Sequence, residues 1–138
     1  MDTRYFTLAE ANKTLPFVAK VVADLVKRVA EFRKLEKQRA ALADRAPDPD
    51  ESERIEGRLF DLEGEIERIA AELAPIGCQL KDLDRGLIDF PARMGDEVIN
   101  LCWLAGEKRI DWWHPLTTGF ADRRPVAELP PETRGEET

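Results

Sequence analysis

The sequence predicts an α+β protein in which a long antiparallel helical hairpin, similar to a coiled coil, precedes a small antiparallel sheet of three to four strands. Two stretches with an apolar residue every three or four positions predict the hairpin, because this heptad spacing is typical of paired helices. From Gly77 onward, short alternating runs separated by turns predict the sheet as a meander. We predict one cooperative unit, with a short helix and the hairpin over 1–76, the meander packed on the hairpin over 77–125, and a disordered acidic tail over 126–138.

The first helix is predicted to begin with a capping box, in which Thr7 and Glu10 each satisfy a free backbone N–H. The apolar stripe that follows consists of Leu8, Ala11, Leu15, Val18, Val22, Leu25, Val29 and Phe32. Pro16 interrupts this stripe, and a proline inside a helix removes a hydrogen-bond donor. We therefore predict a short helix near residues 8–13, then a kink or a restart that Thr14 could cap, and a long helix to about Arg45.

The second helix is predicted to follow a helix-breaking turn over 46–50, with Asp48 as its N-cap and Pro49 in its first turn. Its apolar stripe consists of Ile55, Leu59, Leu62, Ile66, Ile69 and Leu73. Pro75 and Gly77 should end it. Because the turn between the two heptad patterns is short, the two helices should lie antiparallel.

The sheet is predicted from four short runs, 78–81, 87–90, 98–104 and 109–113, with turns of Asp, Arg and Gly between them. The run 98–104 is apolar on both alternate faces. A strand that is covered on both faces lies inside a sheet, so we place this one centrally.

The formal net charge of −7 conceals two predicted helices of opposite net charge. Residues 8–45 hold nine basic and five acidic side chains (+4), whereas residues 48–73 hold three basic and ten acidic side chains (−7). We expect these charges to pair across the hairpin, as flanking charges do in coiled coils. Because a phosphate backbone on the basic helix would also meet the acidic one, nucleic acid is not an expected partner.

The outward face of the second helix carries Gly57, Gly64 and Ala71 at seven-residue intervals, with Phe60 beside them. Each interior glycine costs a helix about 1 kcal/mol relative to alanine. A close approach by another backbone would explain them, either from a second copy of the chain or from the sheet folding back. We therefore predict a non-catalytic interaction or assembly module, whose hairpin binds a second copy, as a homodimer, or a protein partner.

The competing prediction is a metal site or a small-molecule site around His114. His114 is the only histidine, so a multi-histidine metal site within one chain is excluded. A mixed site remains open, in which His114 and the carboxylates of Asp82, Asp89, Glu107 or Asp111 hold a divalent ion. His114 could instead act as a general base oriented by one of these carboxylates, which would make the protein an enzyme.

Other candidate chemistry is less defined. Cys102 or Cys78 could form a nucleophile pair with His114, although both cysteines are most simply small buried apolar residues. Arg123 is a candidate polar contact for a ligand. No nucleotide or flavin motif and none of the common hydrolase signatures occurs in the sequence, so the sequence identifies no cofactor and leaves a divalent metal open.

Several motifs resemble, in their order along the chain, the uncharacterised bacterial family catalogued as domain of unknown function 2203. They are Tyr5–Asn12 with Leu15–Pro16, Lys81–Asp82, Gly86–Pro91, Leu101–Trp103 with Gly106–Glu107, Ile110 with Trp113–His114, and Gly119–Phe120 with Arg123. The resemblance covers about residues 4–125. It implies a cytosolic bacterial protein but no activity, and it makes 81–123 the first segment to search for a site.

The sequence also bears on where the protein is located. No apolar run approaches the roughly 18 residues that a membrane span needs, and the polar first ten residues do not resemble a signal peptide. The two cysteines form no disulfide framework. We therefore expect a cytoplasmic protein with reduced thiols and no membrane partner.

Overall fold

A computed structural model describes residues 3–45 and 48–136 and confirms the α+β class. Two long helices are followed by five antiparallel strands and a short C-terminal helix. The elements are α1 (Leu8–Ala43), α2 (Pro49–Ala71), β1 (Gln79–Asp82), β2 (Leu87–Met94), β3 (Glu97–Leu104), β4 (Trp112–Pro115), β5 (Arg124–Pro125) and α3 (Pro131–Arg134). Ala46 and Pro47, at the centre of the predicted turn, lie outside the described residues.

Helix α1 begins at the predicted capping box. The Glu10 backbone N–H donates to the Thr7 hydroxyl at 3.1 Å, and the Thr7 N–H donates to the Glu10 carboxylate at 2.8 Å. Helix α2 likewise begins at its predicted N-cap, where the Asp48 carboxylate accepts from the Asp50 N–H at 3.1 Å. Both helix starts are local interactions within four residues, which is why the sequence alone specifies them.

The predicted helix break at Pro16 is wrong, because α1 continues through this residue without interruption. The Thr14 hydroxyl donates to the Ala11 carbonyl at 2.7 Å instead of capping a new helix. An interior proline costs about 3 kcal/mol. Leu15 and Val18, on either side of it, are buried, and burial of such a side chain contributes about 1.5–3 kcal/mol. The continuous apolar face therefore outweighs the lost hydrogen bond.

Charged side chains join α1 to α2 as the sequence predicts. Residue numbers fall along α1 while they rise along α2, so the helices are antiparallel. The ion pairs are Arg39–Glu56 at 3.5 Å, Glu31–Arg58 at 2.8 Å and Arg28–Glu65 at 3.8 Å. All are partly or largely exposed, so each adds only a few tenths of a kcal/mol and mainly selects the pairing of the helices.

The sheet has the strand order β1-β2-β3-β4-β5, so β3 lies at its centre as predicted. Its five strands exceed the predicted three to four. The additional strand, β5, has only two residues and pairs with β4 through Trp113 and Arg124. A two-residue strand has no alternation of apolar and polar side chains, and for this reason the sequence pattern did not indicate it.

The two faces of the sheet have different environments. Ile88 and Phe90 of β2, Leu101 and Trp103 of β3, and Trp113 of β4 point toward the helices and form the core with residues of α1. Alternation along each strand sends the intervening side chains to the opposite face. That second face carries the polar residues described in the next subsection.

The predicted disorder of the tail is wrong for residues 126–136. Leu129 is 2% exposed and joins the core. The Thr133 hydroxyl donates to the Arg93 carbonyl at 2.8 Å, which ties α3 to β2. The proline- and glutamate-rich composition suggested disorder, but one buried leucine and one buried threonine are enough to anchor so short a segment. Residues 137 and 138 lie outside the described residues.

Neither long helix contains, within residues 3–45 and 48–136, the apolar stretch that crossing a membrane requires.

Candidate functional site

Asp89, Cys102 and His114 meet on the face of the sheet that points away from the helices. Asp89 on β2 lies directly opposite Cys102 on β3, and His114 on β4 lies opposite Asn100, two residues before Cys102. One carboxylate oxygen, the thiol sulfur and one imidazole nitrogen all lie within 4.8 Å of one another. All three side chains are buried. Three neighbouring strands therefore bring an oxygen, a sulfur and a nitrogen donor together away from bulk water.

The hydrogen bonds of His114 fix the orientation of its ring. Nδ1 lies 2.8 Å from the Pro115 carbonyl, which can only accept, so Nδ1 carries a proton and donates it. Nε2 lies 3.1 Å from each of the two Asp89 carboxylate oxygens. Nε2 and the Asp89 carboxylate are therefore bridged either by a proton or by a cation that both groups bind.

Neither buried cysteine is an activated nucleophile. Burial raises the pKa of Cys102 to about 12, and the neighbouring Asp89 charge adds to this effect. Burial also raises the pKa of Cys78 to about 11. Both are therefore neutral thiols near pH 7, whereas a nucleophilic cysteine needs a lowered pKa. A thiolate would form at Cys102 only if a cation replaced the thiol proton.

Asn100 adds a polar group that the sequence analysis did not select. It is 5% exposed, its side-chain amide makes no hydrogen bond to another described residue, and the amide atoms stay accessible to water. It lines a pocket of about 180 Å³ together with Asp89 and His114. Asn100 lies two residues from Cys102 on the same strand, and this period-two spacing was the signal that could have placed both residues on one face.

The pocket is bordered by the segment that follows β4. Leu116 and Phe120 from this segment line it together with Leu87 of β2, and the exposed Lys81 of β1 lies at its edge. The pocket thus combines apolar sides with the carboxylate and imidazole of the cluster. Such a combination is common in small-molecule binding sites.

Glu107 and Arg123 form a separate ion pair instead of joining His114. Arg123 Nη2 donates to Glu107 Oε2 at 2.7 Å, and Glu107 Oε1 accepts from the Leu104 N–H, also at 2.7 Å. The Arg123 guanidinium lies 5.2 Å from the ring of Trp112 and 4.7 Å from that of Phe120. The structure therefore corrects the predicted grouping of Glu107 with Asp89 and His114. Glu107 and Arg123 instead anchor the segment that borders the pocket.

Asp82 also lies away from the candidate site. Its carboxylate accepts from the backbone N–H groups of Asp84 and Arg85, at 3.0 Å each, and closes the turn between β1 and β2. Asp82 pairs with Leu87, whereas Asp89 pairs with Gln79 at the other end of β1. An aspartate that caps a turn is the ordinary reason for this residue type at a strand end.

The outward face of α2 is open. A Cβ placed on Gly57 would meet no atom within 4 Å, and one placed on Gly64 would meet only the Arg68 side chain. Phe60 is 77% exposed, and Ala71 is exposed as well. The sheet does not fold back over this face, so that explanation of the glycines is wrong within the described residues.

Comparison with protein families identifies one match. A family model described as "Uncharacterized conserved protein (DUF2203)" matches residues 4–126, a range that includes every residue of the cluster and the pocket. No curated protein and no solved structure matches. The match confirms the resemblance seen in the sequence motifs.

Proposed function

Since the chain belongs to the family of uncharacterized conserved proteins DUF2203, we propose a function from the geometry of its candidate site. The protein binds a divalent metal ion, and the ligands are Asp89, Cys102 and His114. The observation that carries the proposal is the convergence of three different donor atoms within 4.8 Å at a buried position. Thiolate and imidazole donors favour zinc over magnesium or calcium, which prefer oxygen ligands only. Zinc is therefore the expected ion.

The distance between His114 and Asp89 suits this assignment. With bonds of about 2.0–2.3 Å from zinc to each donor, neighbouring ligand atoms in a tetrahedral site lie roughly 3.3–3.6 Å apart. The Nε2 atom of His114 and the oxygens of Asp89 are 3.1 Å apart, so an ion between them needs a separation only a few tenths of an ångström larger. The Nδ1–H bond to the Pro115 carbonyl is the outer contact that metal-bound histidines usually make.

Charge supports the same assignment. A buried carboxylate is costly unless a positive group compensates it. Asp89 and a Cys102 thiolate would together balance a divalent cation, and a neutral His114 would complete three protein ligands. Three ligands leave a fourth position free, as in zinc sites that bind water or a substrate.

Zinc content measured by atomic emission tests the proposal. After loading with Zn²⁺ and desalting, the wild type should retain about one zinc ion per chain, whereas Cys102→Ser and His114→Ala should retain about a tenth of that or less, because each removes one of three ligands. Cys78→Ser is the matched control, since Cys78 is also a buried free thiol but lies outside the cluster. This control should keep its zinc.

A second measurement is made on the wild type, so it does not require any variant to fold. Loading the wild type with Co²⁺ should produce a thiolate-to-metal charge-transfer band, and excess Zn²⁺ should raise the melting temperature, because a ligand that binds only the folded state stabilises it. Equal zinc in wild type and Cys102→Ser, or cobalt loading without the thiolate band, would contradict the assignment.

We propose self-association through α2 as a second function, supported by the exposed ring of Phe60. This ring forms one wall of a concavity of about 330 Å³, which is also lined by Arg58, Asp61, Gly64, Glu65 and Arg68. An exposed aromatic ring at a concavity that carries both signs of charge can form a self-complementary contact between two identical chains. The Asp61 and Arg68 charges of one copy could pair with the opposite charges of the other.

Light scattering over a range of protein concentrations tests this second function. The wild type should form dimers, and Phe60→Ser should weaken them about tenfold or more, since aromatic anchors dominate such contacts. Phe17→Ser is the control, because Phe17 is also an exposed aromatic residue, on α1. A wild type that stays monomeric at every concentration, or equal loss in both variants, would count against self-association.

We further propose a bacterial, cytoplasmic location. The bacterial origin follows from the family resemblance, and the reducing compartment fits the two free cysteines, Cys78 and Cys102. Nucleic acid is not among the proposed partners, since Arg28 and Arg39 of α1 already pair with acidic side chains of α2.

A further inference from the structure

We propose that the pocket beside the metal site binds a small monocarboxylate, whose carboxylate group coordinates the metal and contacts Asn100 and Lys81. This inference rests on the metal site proposed above and names the ligand of its open position. It follows from the size of the pocket, from the amide of Asn100 and from the charges around the pocket.

The size and lining of the pocket limit the ligand. A volume of about 180 Å³ accommodates several water molecules, so the ligand is small. Leu87, Leu116 and Phe120 give the pocket apolar sides, which suit a short hydrocarbon chain. The polar end of such a ligand would lie at Asp89 and His114, the two proposed metal ligands that line the pocket.

The side chain of Asn100 can form hydrogen bonds with a polar ligand in the pocket. Asn100 is 5% exposed and lines the pocket, and its amide makes no hydrogen bond to the described residues, so the amide faces the pocket and is open to water. A ligand that displaces this water has to replace its hydrogen bonds to the amide. The amide NH₂ can donate to a carboxylate oxygen. Asn100 lies opposite His114 in the sheet and is therefore next to the proposed metal.

The charges favour a ligand with one negative charge. Asp89 and a Cys102 thiolate already neutralise a divalent ion. The remaining positive side chain on the pocket lining is Lys81, which makes no ion pair within the described residues. One carboxylate would neutralise Lys81, whereas a phosphate dianion would leave a negative charge in excess. The Arg123 charge does not change this balance, because Glu107 pairs with it.

Calorimetric titration of the zinc-loaded full chain with butyrate tests the inference. Butyrate should bind to the wild type, and Lys81→Gln and Asn100→Ala should each weaken binding about fivefold or more, an effect typical of losing one hydrogen bond to a charged group. Lys108→Gln, a change of an exposed lysine outside this pocket, should leave binding unchanged. Inorganic phosphate should bind more weakly than butyrate, and protein stripped of metal should bind butyrate at least about tenfold more weakly.

Zinc content measured on the same samples separates the two proposals. Zinc-loaded protein that gives no heat with butyrate, or that binds phosphate more tightly, overturns the monocarboxylate and leaves the metal site standing. Unchanged binding in Lys81→Gln, or equal binding to stripped protein, also overturns it. A wild type that retains no zinc overturns the metal site, and the ligand proposal falls with it.

Discussion

Replacing Gly86 by alanine should destabilise the fold by about 3 kcal/mol or more, through a left-handed backbone and steric overlap together. Gly86 has φ +74°, which side chains rarely adopt. A Cβ at this position would lie 2.8 Å from side-chain atoms of both Ala105 and Val22. The turn between β1 and β2 is pressed against α1 here, and the Gly86 carbonyl accepts from the Ala105 N–H at 2.9 Å. The backbone cannot withdraw without losing this bond.

Gly95→Ala provides a matched control for Gly86→Ala. Gly95 also has a positive φ, +63°, but a Cβ there would meet no atom within 4 Å. Gly95→Ala should therefore lower the unfolding free energy only by the conformational cost of the positive φ, about 1 kcal/mol. Urea denaturation of both variants gives the difference in unfolding free energy. Equal losses would show that the close packing of the turn on α1 contributes nothing.

Replacing Glu107 by glutamine should destabilise the fold by about 2 kcal/mol or more, because it leaves the buried Arg123 charge unpaired. The Arg123 side chain is 9% exposed, and its Nε already has no partner among the described residues. The Glu107 carboxylate accepts from both Arg123 and the Leu104 N–H at 2.7 Å. Without this charge the segment bordering the pocket loses its anchor between Trp112 and Phe120.

The ion pair between Arg109 and Asp111 is the control for the Glu107 prediction. Its distance, 2.9 Å, is similar, but its side chains are 76% and 50% exposed. Asp111→Asn should change the unfolding free energy by less than about 1 kcal/mol, since water compensates exposed charges. Chemical denaturation of both variants makes the comparison. Similar effects in the two would mean that burial of Arg123 does not determine the strength of its pair.

The candidate site could be predicted only in part. The sequence indicates His114 and Asp89 because imidazole and carboxylate groups can bind a metal ion or transfer a proton. Glu107 is predicted beside them because it is also a carboxylate. Its partner in the structure is Arg123, whose position depends on the conformation of the preceding loop. Cys102 resembled a small apolar residue because its strand is apolar on both faces. Only strand register shows that Cys102 lies opposite Asp89.

The sequence by itself determined the two helices, their caps, their pairing by charge and the central position of β3. These features depend on interactions between residues a few positions apart or on a repeating pattern along one element. Tertiary structure decided the continuity of α1 through Pro16, the anchoring of the tail by Leu129, and the meeting of Asp89, Cys102 and His114. The physical reason is that burial and strand register bring together residues that are far apart in the chain. A local sequence pattern does not indicate which distant residue makes the contact.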